Sequence, residues 1–162
     1  MRRRFLQGVF LLAAVAAFAI PVTAQAPDSW LGTWKLNVAK SKYDPATAAP
    51  KGQTAKMEAI AGGGMRTVTD GVDAQGKPTH TELTTMFDGK PSEVKGAADA
   101  NTTRVYKRID RNTYEFVTSV GGKVTLTSRS VTSADGKSRT LTGKGTNAKG
   151  EAVSYVIIYE RQ

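Results

Sequence analysis

From Gly52 onward, apolar and polar residues change places at every second position over short stretches rich in Thr, Val, Tyr and Phe. That two-residue period is the mark of half-buried β-strands. In 112–120, Tyr114, Phe116, Thr118 and Val120 fall on one face, with Glu115 and Ser119 on the other. In 79–87, Leu83 and Phe87 align with Thr81 and Thr85, and in 123–128, Val124 and Leu126 oppose Lys123 and Thr125. The last stretch is apolar on both faces, with Val153, Tyr155, Ile157 and Tyr159 on one and Ala152, Val156 and Ile158 on the other. Such a strand is expected to be covered on both sides.

The breaks between these stretches share a chemistry. "DAQGK" at 73–77, "DGK" at 88–90, "ADGK" at 134–137 and "NAKGE" at 147–151 each put Asp or Asn ahead of Gly. Asp or Asn favours turn entry, and Gly supplies the positive φ of a tight or bulged hairpin. About ten strands follow from pattern and turns together: 30–37, 53–60, 65–73, 78–87, 91–95, 102–109, 112–120, 123–133, 137–146 and 151–161. Residues 38–51, with Pro45 and Pro50, read as a crossing loop with one helical turn. The fold class is therefore all-β, an antiparallel up-and-down meander of 8–10 strands. Closing it into a barrel removes its exposed edges.

The first 26 residues do not fit this pattern. Arg2, Arg3 and Arg4 precede the apolar run 5–20, and small residues follow at Val22-Thr23-Ala24 and Ala24-Gln25-Ala26. This is the layout of a cleaved export signal, with cleavage after Ala24 or Ala26. "RRRFLQ" also resembles the twin-arginine export signal. The expected organisation is a signal at 1–26 and one barrel domain at 27–162, located in the periplasm or secreted, with no stable membrane anchor after cleavage. The chain has no cysteine, so stability has to come from packing rather than disulfides. Three of its nine net positive charges sit in that leader, and the other basic residues are scattered. No basic patch interleaved with aromatics points to nucleic acid. A monomer is expected.

Residues 31–37, "LGTWKLN", carry a resemblance. Gly32-Thr33-Trp34 resembles the Gly-x-Trp that opens the first strand of the calycins, the superfamily of lipocalins and fatty-acid-binding proteins. Gly-Thr-Trp-Lys-Leu looks particularly like the fatty-acid-binding proteins, and the chain end "VIIYERQ" is similar to their final strand. The chain also looks similar to small exported bacterial proteins of lipocalin-like type. The resemblance implies a barrel base in which Gly32 allows close backbone approach and Trp34 is a plug crossed by an arginine, Arg161 first and Arg129 second. It also implies a small, largely apolar ligand inside, with Tyr159 as polar anchor. The arginine that precedes that tyrosine in the family's ligand clamp is replaced here by Ile157, and the long helix-turn-helix after the first strand is missing. Alternation adds Leu83, Phe87, Tyr114 and Phe116 to the candidate ligand wall.

No catalytic signature stands out. The single histidine, His80, has Glu82 on its strand face, and a solvated polar face accounts for both. A lone His lacks the further ligands a zinc site needs. No metal, cofactor or catalysis is therefore expected. Two readings remain: a hollow barrel that binds a small apolar ligand, and a filled barrel that works through surface contacts.

Overall fold

A computed structural model describes residues 28–147 and 149–162, so the leader and its cleavage sites lie outside the described residues. The chain forms β1 (Gly32–Leu36), β2 (Lys42–Asp44), β3 (Gly52–Ile60), β4 (Gly64–Val72), β5 (Pro78–Thr85) and β6 (Ser92–Glu93). It continues as β7 (Thr102–Arg108), β8 (Thr113–Val120), β9 (Lys123–Thr132), β10 (Ser138–Thr146) and β11 (Ala152–Arg161). All pairings are antiparallel, in the order β5-β4-β3-β1-β11-β10-β9-β8-β7-β6. Among the described residues no helix is long and apolar enough to cross a membrane.

Two joints close the ring. At one, the first and last long strands pair, with Trp34 opposite Arg161 and Leu36 opposite Tyr159. At the other, a single bridge joins Glu82 of β5 to Lys95, just past β6. Its two hydrogen bonds, Glu82 N to Lys95 O at 3.0 Å and Lys95 N to Glu82 O at 2.9 Å, are all the ladder that seam has. The result is a nearly closed barrel of ten strands, with β2 added alongside β11.

The turns form as their residues dictate. Asp73 Oδ1 accepts from the backbone N–H of Gln75 and Lys77, and Asn147 Oδ1 accepts from those of Lys149 and Glu151. Such side-chain acceptors imitate a backbone turn.

Three expectations are corrected. Val124 points outward and is 58% exposed, because a bulge between Thr118 and Ser119 makes Thr125 an extra, buried residue on β9. A bulge inserts one residue and so flips every side chain beyond it. The outer face of β11 is not covered: Val156 is 40% exposed. The crossing segment 38–51 holds a short strand, β2, before its 3-10 turn at Ala46–Ala48. Here the chain leaves β1 but stays on the edge of β11, pairing Tyr43 with Tyr155.

Candidate functional site

One end of the barrel is plugged. Trp30 and Trp34 are fully buried, and the Trp34 indole N–H donates to the Trp30 carbonyl at 2.7 Å. The Arg161 guanidinium lies over the Trp34 ring at 4.3 Å. It donates to the carbonyls of Leu31 (2.8 Å), Gly136 (2.6 Å) and Ser29. Arginine on an aromatic face gains from the ring's negative quadrupole. Gly32 has φ +120°, and a Cβ there would stand 2.5 Å from the Arg161 Nη1. Glycine is thus required both by the backbone and by the arginine above it. Gly32, Trp34 and Arg161 therefore meet at one place. Arg129 does not join them; it faces outward and pairs with Glu115.

Phe87 also belongs to this plugged end. β5 stops at Thr85, and Phe87 turns away with φ +54°. Its ring lies 6.2 Å from Trp30 and under the Arg108 guanidinium at 4.8 Å. Leu83 is buried in the same core. Neither is among the residues that line the interior cavity: Phe87 turns away where the strand ends, and Leu83 is buried in the core.

Above the plug the barrel is hollow, with a cavity of about 430 Å³. Tyr114, Phe116 and Tyr159, three of the residues chosen from the sequence, line it. The end away from Trp34 is covered by the segment after β1, which supplies Tyr43, Ala48 and Pro50 to the wall. Ala55, Met57, Leu126, Leu141, Val153 and Ile157 make much of the wall apolar.

The polar groups in this cavity are unbalanced. Arg139 and Arg104 line it, while no acid and no lysine does so among the described residues. Arg139 is 3% exposed. It stands directly opposite Tyr159 across β10 and β11, 4.5 Å over that ring and 5.3 Å from the Trp34 ring. It donates to the Tyr114 hydroxyl at 2.7 Å and makes a 3.1 Å contact with Met57 Sδ. Its Nε has no partner. Arg104 lies 5.0 Å over the Phe116 ring, and its buried Nε is likewise without a partner. Both cations are held by aromatic faces and neutral hydroxyls rather than by carboxylates. Burying a charge that way is costly unless a counter-charge arrives.

Tyrosine hydroxyls surround the arginines. Tyr159 donates to Gln53 Oε1, and Tyr155 shares a 2.7 Å hydrogen bond with Ser128. The Tyr43 hydroxyl and the Thr67 hydroxyl are buried without partners. Burial pushes the Tyr159 phenol up to about 12 and raises Tyr43, Tyr106 and Tyr155 as well. All four therefore remain protonated donors at neutral pH. Arg104 shares a strand face with Tyr106, and Arg139 with Leu141. The same alternation that found Tyr114 and Phe116 was the available signal for both arginines.

His80 lies elsewhere. It stands on the outer face of β5, half exposed, with Nδ1 2.7 Å from Asp70 and Nε2 3.3 Å from Glu82. Among the described residues no group of three or more His, Asp or Glu side chains is placed to hold a metal ion.

No protein-family model matches the sequence, and no curated protein matches it. Solved structures are similar to it. The crystal structure of the fluorescent protein UnaG matches with a TM-score of 0.55 and 13% identity, over 82% of this chain and 97% of that one. A fluorescence-activating β-barrel designed de novo gives 0.43 and 12%, over 83% and 94%. As-p18, an extracellular fatty acid binding protein, gives 0.39 and 20%, over 84% and 98%. At such identities the likeness is one of fold alone. With the ten-strand ring, the likeness to UnaG shows a calycin-like fold, an antiparallel and nearly closed β-barrel.

Proposed function

We propose that this barrel binds a small molecule with an apolar body and an acidic group, and that it does so outside the cytoplasm without catalysing a reaction. The observation that carries the reading is Arg139, a cation 3% exposed, inside a largely apolar cavity, with no carboxylate beside it. A cavity of about 430 Å³ lies within the range of ~300–1,000 Å³ typical of small-molecule sites. The apolar wall would take the body of the ligand, and Arg139 with the Tyr114 and Tyr159 hydroxyls would take its acid. This refines the expected apolar ligand to an anionic one, and the hollow interior disfavours a filled barrel working only through its surface. His80 is the one histidine and sits outside the cavity, which supports binding over catalysis. The basic, apolar leader at 1–20 supports export.

Native and denatured masses of the protein, taken from the cells that make it, test both parts. An organic acid lost on denaturation, and a chain starting at Gln25 or Pro27, are the expected results. A bare barrel in both spectra, unchanged after incubation with a lipid extract, would sink the binding reading. An intact leader on the isolated protein would sink export. In the Arg139→Met variant the same acid should bind about 10- to 100-fold more weakly, the weight of one charge-assisted hydrogen-bonding group.

A further inference from the structure

The cavity holds two guanidinium groups with no carboxylate beside them among the described residues, and a ligand with one acid placed at Arg139 leaves Arg104 without one. We propose that the physiological ligand is a dianion with two separated acidic groups, one at Arg139 near the plug and one at Arg104 higher on the wall. The proposal rests on the anionic-ligand reading above and goes further in fixing the number and placement of the charges.

Strand register sets the two arginines apart. Arg104 of β7 pairs with Thr118, Thr118 with Leu126, and Leu126 with Gly145 of β10. Arg139 stands on β10 itself, opposite Thr132 and Tyr159. Barrel strands are tilted and staggered, so the two differ in level by less than the run from Arg139 to Gly145, and the Phe116 ring under Arg104 stands 6.3 Å from the Tyr114 ring that Arg139 reaches. The two side chains thus enter the cavity from different levels of the wall. They also rest on different rings, Arg104 on Phe116 and Arg139 on Tyr159 and Trp34. Neither Nε has a protein acceptor, and no lining acid among the described residues offsets either charge. A monoanion at Arg139 would leave the half-buried Arg104, with its Nε out of reach of water, uncompensated, the costlier arrangement. Two acids on one apolar body would compensate both and still fill the aliphatic wall between them.

The test compares matched probes on the intact, leader-free protein by calorimetry at a pH where all acids are ionised. Dodecanedioic acid should bind at least tenfold more tightly than dodecanoic acid. Arg104→Met should erase the diacid's advantage, the ratio of diacid to monoacid affinity falling from at least tenfold to about one. A monoacid that binds as tightly as the diacid overturns the dianion proposal and leaves the anionic-ligand reading standing. If dodecanol binds and neither acid does, both readings fall. Dodecyl phosphate matching the diacid would show that one doubly charged group suffices, and would overturn the two separated anchors. The probe comparison on the unaltered protein decides the question even where Arg104→Met does not fold.

Discussion

At the scale of single residues, the most constrained position is Gly32. Its φ of +120° is outside the range side chains tolerate, and the space a Cβ would take is filled by the Arg161 guanidinium. Gly32→Ala therefore carries a backbone penalty and also displaces the cation from Trp34. A loss of roughly 2–4 kcal/mol is expected, adding a contact cost to the ~1–3 kcal/mol of backbone strain. Thermal unfolding should register it as a fall of about 5–15 °C. If Arg161→Ala is made first, Gly32→Ala should cost less, because the clash is gone. Strict additivity of the two changes would show that glycine answers to the backbone alone. His80 supplies a second prediction at this scale. The hydrogen bond to Asp70, and then that to Glu82, hold its pKa above the ordinary value. A folded value above the unfolded one stabilises fully below about pH 6.5, and the gain is lost as pH rises through the folded value. Unfolding temperatures of the native chain and of His80→Gln should differ most at acid pH and converge at alkaline pH. A gap that widens toward alkali would contradict the pairing.

At the scale of elements, β10 and the β5–β6 seam set the limits of the barrel. Gly143 on β10 leaves room for the Tyr155 ring, whose Cζ would lie 2.3 Å from an added Cβ. That ring crosses β10 to reach Ser128 on β9. Gly143→Ala should push Tyr155 off that bond and into the cavity. The expected cost is about 1–3 kcal/mol, as for other overpacked interiors, with ligand affinity reduced as well. Affinity unchanged alongside lost stability would place the Tyr155 ring away from the ligand. The seam is weaker than any long ladder, since a single bridge spans it. Amide exchange should find the seam-facing amides of β5 opening well before those shared by β10 and β11. Equal protection would mean that the barrel opens only as a whole. Ten of the strands were legible because alternation marks them and, at four of the breaks, Asx-Gly turns report the same boundary independently. β2 was not: three residues before Pro45 are too few to show a period. The plug was legible through Gly-x-Trp and the chain end. Arg104 and Arg139 were hidden because an arginine among threonines reads as surface charge unless strand parity is followed. Phe87 was misplaced because parity continues on paper past Thr85, where the strand itself stops.

At the scale of the whole molecule, a barrel that buries Arg139 and half-buries Arg104 would be stabilised by an acidic ligand beyond what contact area suggests. Free of ligand, it holds Arg104 and Arg139 in a largely apolar interior against aromatic faces, a hydroxyl and the Met57 sulfur, with no carboxylate beside them among the described residues. Removing the charge without ligand should then cost little or even stabilise, as when a buried ion is exchanged for an apolar residue of similar volume. Arg139→Met is expected to unfold at the same temperature as the native chain or above it in the absence of ligand. With ligand the order reverses. At a hundredfold excess over Kd the native chain gains about 2.7 kcal/mol, worth roughly 5–10 °C at this size. The variant, binding more weakly, gains less at the same concentration. The crossing of the two melting series, with and without a tight acidic ligand, is the signature of a cation kept for binding at the expense of the empty fold. It should also persist at high salt, since a buried pair is screened far less than surface charges. If Arg139→Met melts lower both with and without ligand, the arginine is a structural strut for Trp34 and Tyr159, and the acid-binding role moves to Arg104.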